Sequence, residues 1–281
     1  SWTGAEQTTT GNDKIASVTI GDVEVTTVTA TNTRVTLNQG EAIGLVKEWK
    51  DDDNALGVRP NSIKVKLLAK SGEGDFADTD LTETRTEGGT NHINGTITEV
   101  GGTKLAKYDL TGEEYSYKFV ETKIGGQPLT NGAAHGYKNT DTTVNGKITT
   151  ITNEIVLTSV TVTKSWNDAW GGKQNYFGLR PDVDAFKGWI KLYVSADDGA
   201  TWEPSNATAS VTKNSDNSAY NVSYANLPQF DADGHELTYR VAETVRDAHY
   251  ELATDDLTEV ADGVYGAADR GTLTNSLKRG T

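Results

Sequence analysis

Apolar and polar residues alternate with a period of two in short stretches along this chain, and a lysine interrupts the apolar row at two places. In Val160-Thr161-Val162-Thr163-Lys164-Ser165-Trp166, strand geometry puts Val160, Val162, Lys164 and Trp166 on one face and the hydroxyl residues on the other. Ile43, Leu45, Lys47 and Trp49 repeat the arrangement, again with a Trp two residues after the Lys. An unpaired ammonium in an apolar layer is costly, so either the strand phase is misread, or the amine is deprotonated, or it is used chemically. Two copies call for a common cause.

The same alternation predicts strands at Ser62 to Leu68, Lys104 to Leu110, Tyr115 to Thr122, Trp189 to Ser195, Tyr220 to Leu227 and Leu237 to Thr244. No stretch carries a convincing helical period. Gly, Asp and Asn punctuate the strands, as turns require.

Comparing the stretches shows a tandem repeat. Gly57-Val58-Arg59-Pro60 returns as Gly178-Leu179-Arg180-Pro181, at an offset of 121. Tyr108-Asp109-Leu110-Thr111-Gly112 returns as Phe230-Asp231-Ala232-Asp233-Gly234 at 122, as do Tyr117-Lys118-Phe119-Val120-Glu121 in Tyr239-Arg240-Val241-Ala242-Glu243 and Ile151-Thr152-Asn153 in Leu273-Thr274-Asn275. The lysines are 117 apart because the loop before Arg-Pro is longer in the second unit. Short alternating strands and turn residues favour a β-sandwich for each unit, so the chain divides into 1–41, 42–157 and 158–281. No Pro/Gly linker stands between Asn153 and Val160, which implies a stiff connection.

Within each unit a glutamate and an asparagine also stand in apolar rows: Tyr117, Phe119 and Glu121 with Ile151, Asn153 and Ile155, then Tyr239, Val241 and Glu243 with Leu273, Asn275 and Leu277. The spacing from Glu to Asn is 32 in both. Taken one at a time, these residues read as a snorkelling lysine, a sheet-edge acid and a turn asparagine. Taken as six residues in matched order, they suggest a self-made amide bond. Desolvation favours a neutral amine and a protonated carboxyl. The amine then attacks the asparagine side-chain carbonyl, the acid polarises it and shuttles protons, and ammonia leaves. Glu121 and Glu243 are the catalytic candidates, Lys47-Asn153 and Lys164-Asn275 the bonded pairs. Trp49, Trp166, Phe119, Tyr117 and Tyr239 are expected to wall the pockets. Each centre acts once, so the chain is not expected to be an enzyme on an outside substrate.

Composition narrows the remaining classes. The 281 residues include no Cys and no Met, 29 Gly and 5 Pro, and the net charge is −14. Disulfides and thiolate metal sites are excluded, so covalent reinforcement has to come from other chemistry. No Lys/Arg cluster offers a nucleic-acid footprint, and no apolar run approaches the roughly 18 residues of a membrane span. The start at Ser1, without Met, suggests a processed or excised piece, which fits export. No cofactor or metal is expected. His92, His135, His235 and His249 are scattered without ligand spacing, and Asp51-Asp52-Asp53-Asn54 and Asp231-Ala232-Asp233-Gly234 lack the closing Glu of a calcium loop. The sequons at Asn94, Asn206 and Asn221 are chance matches if the source is bacterial. Trp170 and Tyr176, in the enlarged loop, are candidates for a ligand contact or for loop packing.

The first-strand Val-Lys-Glu-Trp and Thr-Lys-Ser-Trp, the following Arg-Pro, the Tyr-Asp…Gly and Phe-Asp…Gly turns, the Val-Glu-Thr and Ala-Glu-Thr acid strands and the closing Ile-Thr-Asn and Leu-Thr-Asn together resemble the Cna B-type domains of Gram-positive surface adhesins and pilins. The resemblance covers roughly 42–281. It implies all-β, tandem immunoglobulin-like sandwiches, an internal isopeptide bond between first and last strands, and an extracellular place on a bacterial surface, anchored to the cell wall through parts not in this chain. The implied partners are neighbouring repeats or subunits and a host or extracellular-matrix ligand. The implied role is a rigid adhesin stalk bearing tension. A pilus shaft subunit or a carbohydrate- or protein-binding sandwich are the alternatives. For a pilin, the terminal Thr281 matches what sortase leaves, but the residues before it do not match the usual signal.

Residues 1–41 admit three readings. Asn38 follows Glu6 by 32 residues, as in the repeats, which suggests the tail of a preceding unit. That spacing is equally a coincidence, or the segment supplies strands to its own or a neighbouring subunit.

Overall fold

A computed structural model describes residues 32–86 and 96–278, together with the backbone of Trp2–Thr3, Glu6–Thr10, Asp13–Ser17 and Thr29–Ala30. His92, the first two residues of the Asn94 sequon and the side chain of Glu6 lie outside the described residues, and with Glu6 the reading of its spacing to Asn38.

Two tandem sandwiches make up most of the described chain; Trp2–Thr3 pairs with Thr29–Ala30 and Glu6–Thr10 with Asp13–Ser17 ahead of them. In the first, one sheet has strand order 127–128, Tyr115–Ile124, Ser62–Ser71, Ala77–Thr86, and the other 133–134, Tyr137–Asn145, Ile148–Ile155, Gly44–Lys50. In the second the orders are 210–213, Ala219–Pro228, Leu157–Asn167, Thr272–Leu277, Tyr250–Leu252, and 203–204, Ile190–Ser195, Thr238–Glu243, 264–267, 258–261. In both, the first and last strands are parallel neighbours in one sheet. That arrangement places the lysine and asparagine strands side by side.

Each sandwich closes on its own apolar core. The first gathers Leu45, Val65, Leu67, Phe119, Ile124 and Ile151, the second Phe186, Leu192, Val222, Tyr224, Val241 and Leu273. Alternation along Gly44–Lys50 and Leu157–Asn167 is as the pattern requires, with Leu45, Lys47, Trp49, Val160, Val162, Lys164 and Trp166 all buried. At the start of the first sandwich, Leu37 N–H donates to Leu105 O and Lys107 N–H to Val35 O, both at 2.9 Å, and Leu37 enters the core. Residues 35–37 thus pack on this subunit's own first sandwich.

Two local expectations are corrected. The strand expected over Lys104 to Leu110 is reduced to Thr103–Lys104 and isolated bridges at Ala106 and Tyr108. Asp109 is responsible: its carboxylate takes the N–H groups of Thr111 at 2.8 Å and Glu113 at 2.9 Å, turning the chain and leaving Leu110 fully exposed. A short helix, Val183–Lys187, also lies outside the all-strand expectation; Asp182 caps it by accepting from Ala185 N–H at 2.8 Å. Among the described residues, no helix is long and apolar enough to cross a membrane.

The connection between sandwiches is short. Strands Ile148–Ile155 and Leu157–Asn167 are separated by Val156 alone, whose N–H donates to Gly136 O at 2.8 Å.

Candidate functional site: a buried lysine, glutamate and asparagine in each sandwich

Parallel register fixes the heights of the reacting candidates. Lys47 pairs with Ile151 and Trp49 with Asn153; Lys164 pairs with Leu273 and Trp166 with Asn275. Each asparagine is therefore one inward position beyond its lysine on the neighbouring strand. The glutamates come from the facing sheet, on Tyr115–Ile124 and Thr238–Glu243. Lys47, Asn153 and Lys164 are 0% exposed and Asn275 2%, so these side chains lie in the buried core.

In the second sandwich the glutamate bridges the other two groups. Lys164 Nζ donates to Glu243 Oε2 at 2.8 Å, and Asn275 Nδ2 donates to Glu243 Oε1 at 2.8 Å. Burial pulls the lysine amine down from its ordinary 10.5 to about 8, against the opposing charge and hydrogen bond of Glu243. In the first sandwich Asn153 Nδ2 donates to Glu121 Oε1 at 3.0 Å, while Lys47 Nζ donates to Glu48 O at 3.0 Å and Ile151 O at 3.2 Å. Burial pushes the Glu121 carboxyl up, and the Lys47 charge and the amides of Asn139 and Asn153 oppose the rise. In both sandwiches the asparagine Oδ1 is buried with no hydrogen-bond partner. An orphaned buried carbonyl of this kind costs free energy until something pairs with it or removes it.

Among the expected wall residues, the tryptophans stand at the site and the tyrosines do not. Lys47 Nζ lies 4.2 Å from the Trp49 ring centroid and Lys164 Nζ 4.6 Å from that of Trp166. Phe119, fully buried, lies between Tyr117 and Glu121 on the inward row. Tyr117 and Tyr239 share that row but are four residues from the glutamates, about 13 Å at strand rise. Their hydroxyls donate instead to Ala106 O at 2.6 Å and Pro228 O at 2.7 Å. They anchor the sandwich rather than wall the reaction centre.

Two features were missed by sequence reasoning. Asn139 Nδ2 donates to Glu121 Oε2 at 3.1 Å, holding the second carboxylate oxygen of the first site. The signal was present, since Asn139 shares an inward row with the buried Tyr137. The second is a buried ion pair beside each tryptophan, Asp51 with Arg59 and Asp168 with Arg180. In the sequence Asp51 reads as part of a solvated turn or a calcium loop, and the arginines as repeat markers. An Asp four residues after each Lys was the available clue.

The turn Asp231-Ala232-Asp233-Gly234 brings Asp231, Asp233 and His235 close together, but the Asp231 carboxylate already takes the N–H groups of Asp233 and His235 and the ring of His235. It is a self-satisfied turn. Trp170, Tyr176 and Phe177 are about half exposed in the enlarged loop, with Tyr176 and Phe177 edge to face at 5.0 Å.

The B1 repeat unit of the collagen-binding surface protein Cna of Staphylococcus aureus is 23% identical, covering 84% of this chain and 97% of that one, at a TM-score of 0.27. The B1B2 pair from the same protein is 22% identical over 98% of this chain and 56% of that one, with a TM-score of 0.26. The major pilin T-13 of Streptococcus pyogenes is 11% identical over 88% of this chain and all of that one, with a TM-score of 0.31. No curated protein matches. The sequence profile of the Cna protein B-type domain matches twice, over residues 43–154 and 160–275. Together the two matches span well over half of the molecule, and the chain belongs to the Cna protein B-type domain family.

Proposed function

We propose that this chain is a stalk segment of a bacterial surface adhesin, in which each sandwich is stapled by a Lys-Asn isopeptide bond that it makes itself. The observation that carries the reading is Glu243, which holds the would-be nucleophile Lys164 and the would-be leaving nitrogen of Asn275 on its two oxygens at 2.8 Å each. Through the first contact the ammonium proton passes to the carboxylate, giving a neutral amine. The amine nitrogen bonds to the asparagine Cγ, whose carbonyl electrons move to Oδ1. The carboxyl gives its proton to Nδ2, the Cγ–Nδ2 bond breaks as the carbonyl re-forms and neutral ammonia departs, and the attacking nitrogen passes its second proton to the carboxylate, which leaves a neutral amide beside a protonated Glu243. The first sandwich runs the same steps with Lys47, Glu121 and Asn153. Each centre turns over once and needs no cofactor.

Position supports the mechanical role. Lysine and asparagine lie on the first and last strands, so a bond between them carries tension past the intervening sandwich. Partners on this reading are neighbouring repeats or subunits, as for a pilus shaft, and a matrix ligand elsewhere on the parent protein. The intact mass of the denatured chain tests it: two ammonia masses below the sequence value, with one restored by Glu121→Ala and one by Glu243→Ala. A mass equal to the sequence value sinks the mechanism.

A second reading, a binding sandwich, is favoured by the rings of Trp170, Tyr176 and Phe177, which the second sandwich adds where the first presents only Leu56. Glycan-array and matrix-protein binding that is lost on replacing all three rings by Ser supports it; an unlabelled array removes it.

A further inference from the structure

Both sandwiches carry the same buried polar assembly around the tryptophan beside the lysine, and bond formation as described above does not use it. Arg59 Nε donates to Asp51 Oδ2 at 2.7 Å and Nη2 to Oδ1 at 2.6 Å, while Tyr137 Oη donates to Asp51 Oδ2 at 3.0 Å. In the second sandwich Arg180 Nε donates to Asp168 Oδ2 at 2.6 Å, Nη2 to Oδ1 at 2.5 Å, and Tyr250 Oη to Asp168 Oδ2 at 2.9 Å. The side chains are 1% and 5% exposed in the first pair and 2% and 3% in the second.

Each assembly grips its indole from several sides. The guanidinium carbons lie 5.8 Å and 5.7 Å from the Trp49 and Trp166 centroids. The rings of Tyr137 and Tyr250 meet the same indoles edge to face at 5.0 Å. The lysine amines occupy the other close contacts, at 4.2 and 4.6 Å. One tryptophan thus separates a reactive amine from a rigid, internally neutral ion pair.

The loops that build the two assemblies differ in length, yet they converge. Asn54 N–H donates to Asp51 Oδ1 at 3.1 Å and its Oδ1 accepts from Arg59 N–H at 2.9 Å. Asn175 repeats both bonds, to Asp168 at 3.1 Å and from Arg180 at 3.2 Å, although the second loop carries an added turn closed by reciprocal bonds between Trp170 and Lys173. A buried ion pair is weak as a source of stability, since apolar residues of similar volume commonly do as well. Its presence in both units, across an insertion, calls for another role.

We propose that Asp51–Arg59–Tyr137 and Asp168–Arg180–Tyr250 are positioning residues for isopeptide formation, each locking its tryptophan as a lid that keeps water from the lysine amine. The inference rests on the self-linking reading above. Loss of the lid lets water reach the amine and returns it toward its ordinary protonation, so the pH at which the reaction sets in moves upward. The charged and titratable groups facing Lys164 are Glu243 from the opposite sheet, Tyr220 beside it on the neighbouring strand and, around Trp166, Arg180, Asp168 and Tyr250.

The test is the rate of ammonia loss in the full chain, made by cell-free synthesis at pH 6 and shifted to buffers from pH 6 to 10, with intact mass read over time. All chains carry Glu121→Ala, so that only the second bond is counted. Tyr250→Phe removes one hydroxyl and keeps the ring. Asp168→Leu with Arg180→Met replaces the ion pair by apolar bulk, and circular dichroism checks that each variant is folded. Expected are rates at pH 7 about 10- to 100-fold below the parent, the range that misplacement near a reacting centre produces, with the midpoint of the pH profile displaced upward. Folded variants that link at the parent rate, or that slow equally at every pH, overturn the proposal. A parent chain that never loses ammonia overturns the self-linking reading itself, and so is told apart from failure of the lid.

Discussion

His135 of the first sandwich places its Nε2 3.1 Å from Ala232 O of the second, and the ring is 3% exposed. Gln127 Nε2 adds a bond to Gly234 O at 3.2 Å. Gly234 has φ +88°, and a Cβ on it would fall 2.8 Å from both Gln127 Nε2 and His135 Nδ1. A side chain is excluded there by conformation and by space together. With Val156 as the sole residue between strands, the joint is held by these contacts as well as by the chain.

Gly234→Ala is therefore expected to loosen the joint while leaving both cores intact. Small-angle scattering would show a broader distribution of end-to-end distances, and thermal melting would be little changed. A scattering curve identical to the parent's would mean that Val156 alone sets the stiffness.

Removing either glutamate tests the staple thermodynamically. The lysine and asparagine of each proposed bond are 106 and 111 residues apart, so each loop the bond would close would restrict the unfolded chain by roughly 4 to 5 kcal/mol on the disulfide analogy. Glu121→Ala and Glu243→Ala should each lower the denaturant midpoint of one transition and spare the other. Equal midpoints in parent and variant would contradict this.

In an unlinked second sandwich the Lys164 amine has to titrate. Asn275→Ala prevents the bond and leaves Lys164 facing Glu243. The folded amine titrates near 8 and the unfolded one near 10.5, so between these values only the unfolded chain holds the proton. Stability is then expected to be greatest above pH 10.5, to fall by about 3 kcal/mol as pH drops to 8, and to level off below. NMR of the lysine side chain gives the midpoint directly, and a value near 10.5 would show an amine that is not desolvated.

Asn139→Ala strips Glu121 of the donor on Oε2 and leaves Asn153 as its asparagine partner. In a Glu243→Ala background, the first bond should form about tenfold more slowly, through misplacement of the carboxyl. An unchanged rate would reduce Asn139 to a packing residue.

Much of the sandwich architecture was legible because alternation is a strong signal wherever one face is buried. Lys47 and Lys164 were visible because a charge in an apolar row is costly unless it is paired or neutralised, and the pattern occurs twice. The glutamates and asparagines became visible through the repeat, in which the same acid-to-amide spacing of 32 residues returns in both units. Lys104 to Leu110 misled because Asp109 captures its own downstream N–H groups, a local competition that apolar pattern does not report. The Asp–Arg–Tyr assemblies were hidden for a different reason. Tyr137 and Tyr250 stand 86 and 82 residues after their aspartates, and neither loop spacing nor alternation reveals a contact at that range. The roles of Tyr117 and Tyr239 went astray because a shared face says nothing about distance along it.

The parallel placement of first and last strands has one more consequence. With both staples formed, the shortest covalent route through the molecule runs along residues 44–47, crosses to 153–164, and crosses again to 275–277. Everything between is a closed ring hung beside that route. A protease that cuts once within 48–152 or 165–274 opens a ring without severing the thread, and the chain stays in one piece from end to end even after it is denatured. A surface fibre built this way tolerates nicks over most of its length and is vulnerable chiefly across the brief stretch around Val156.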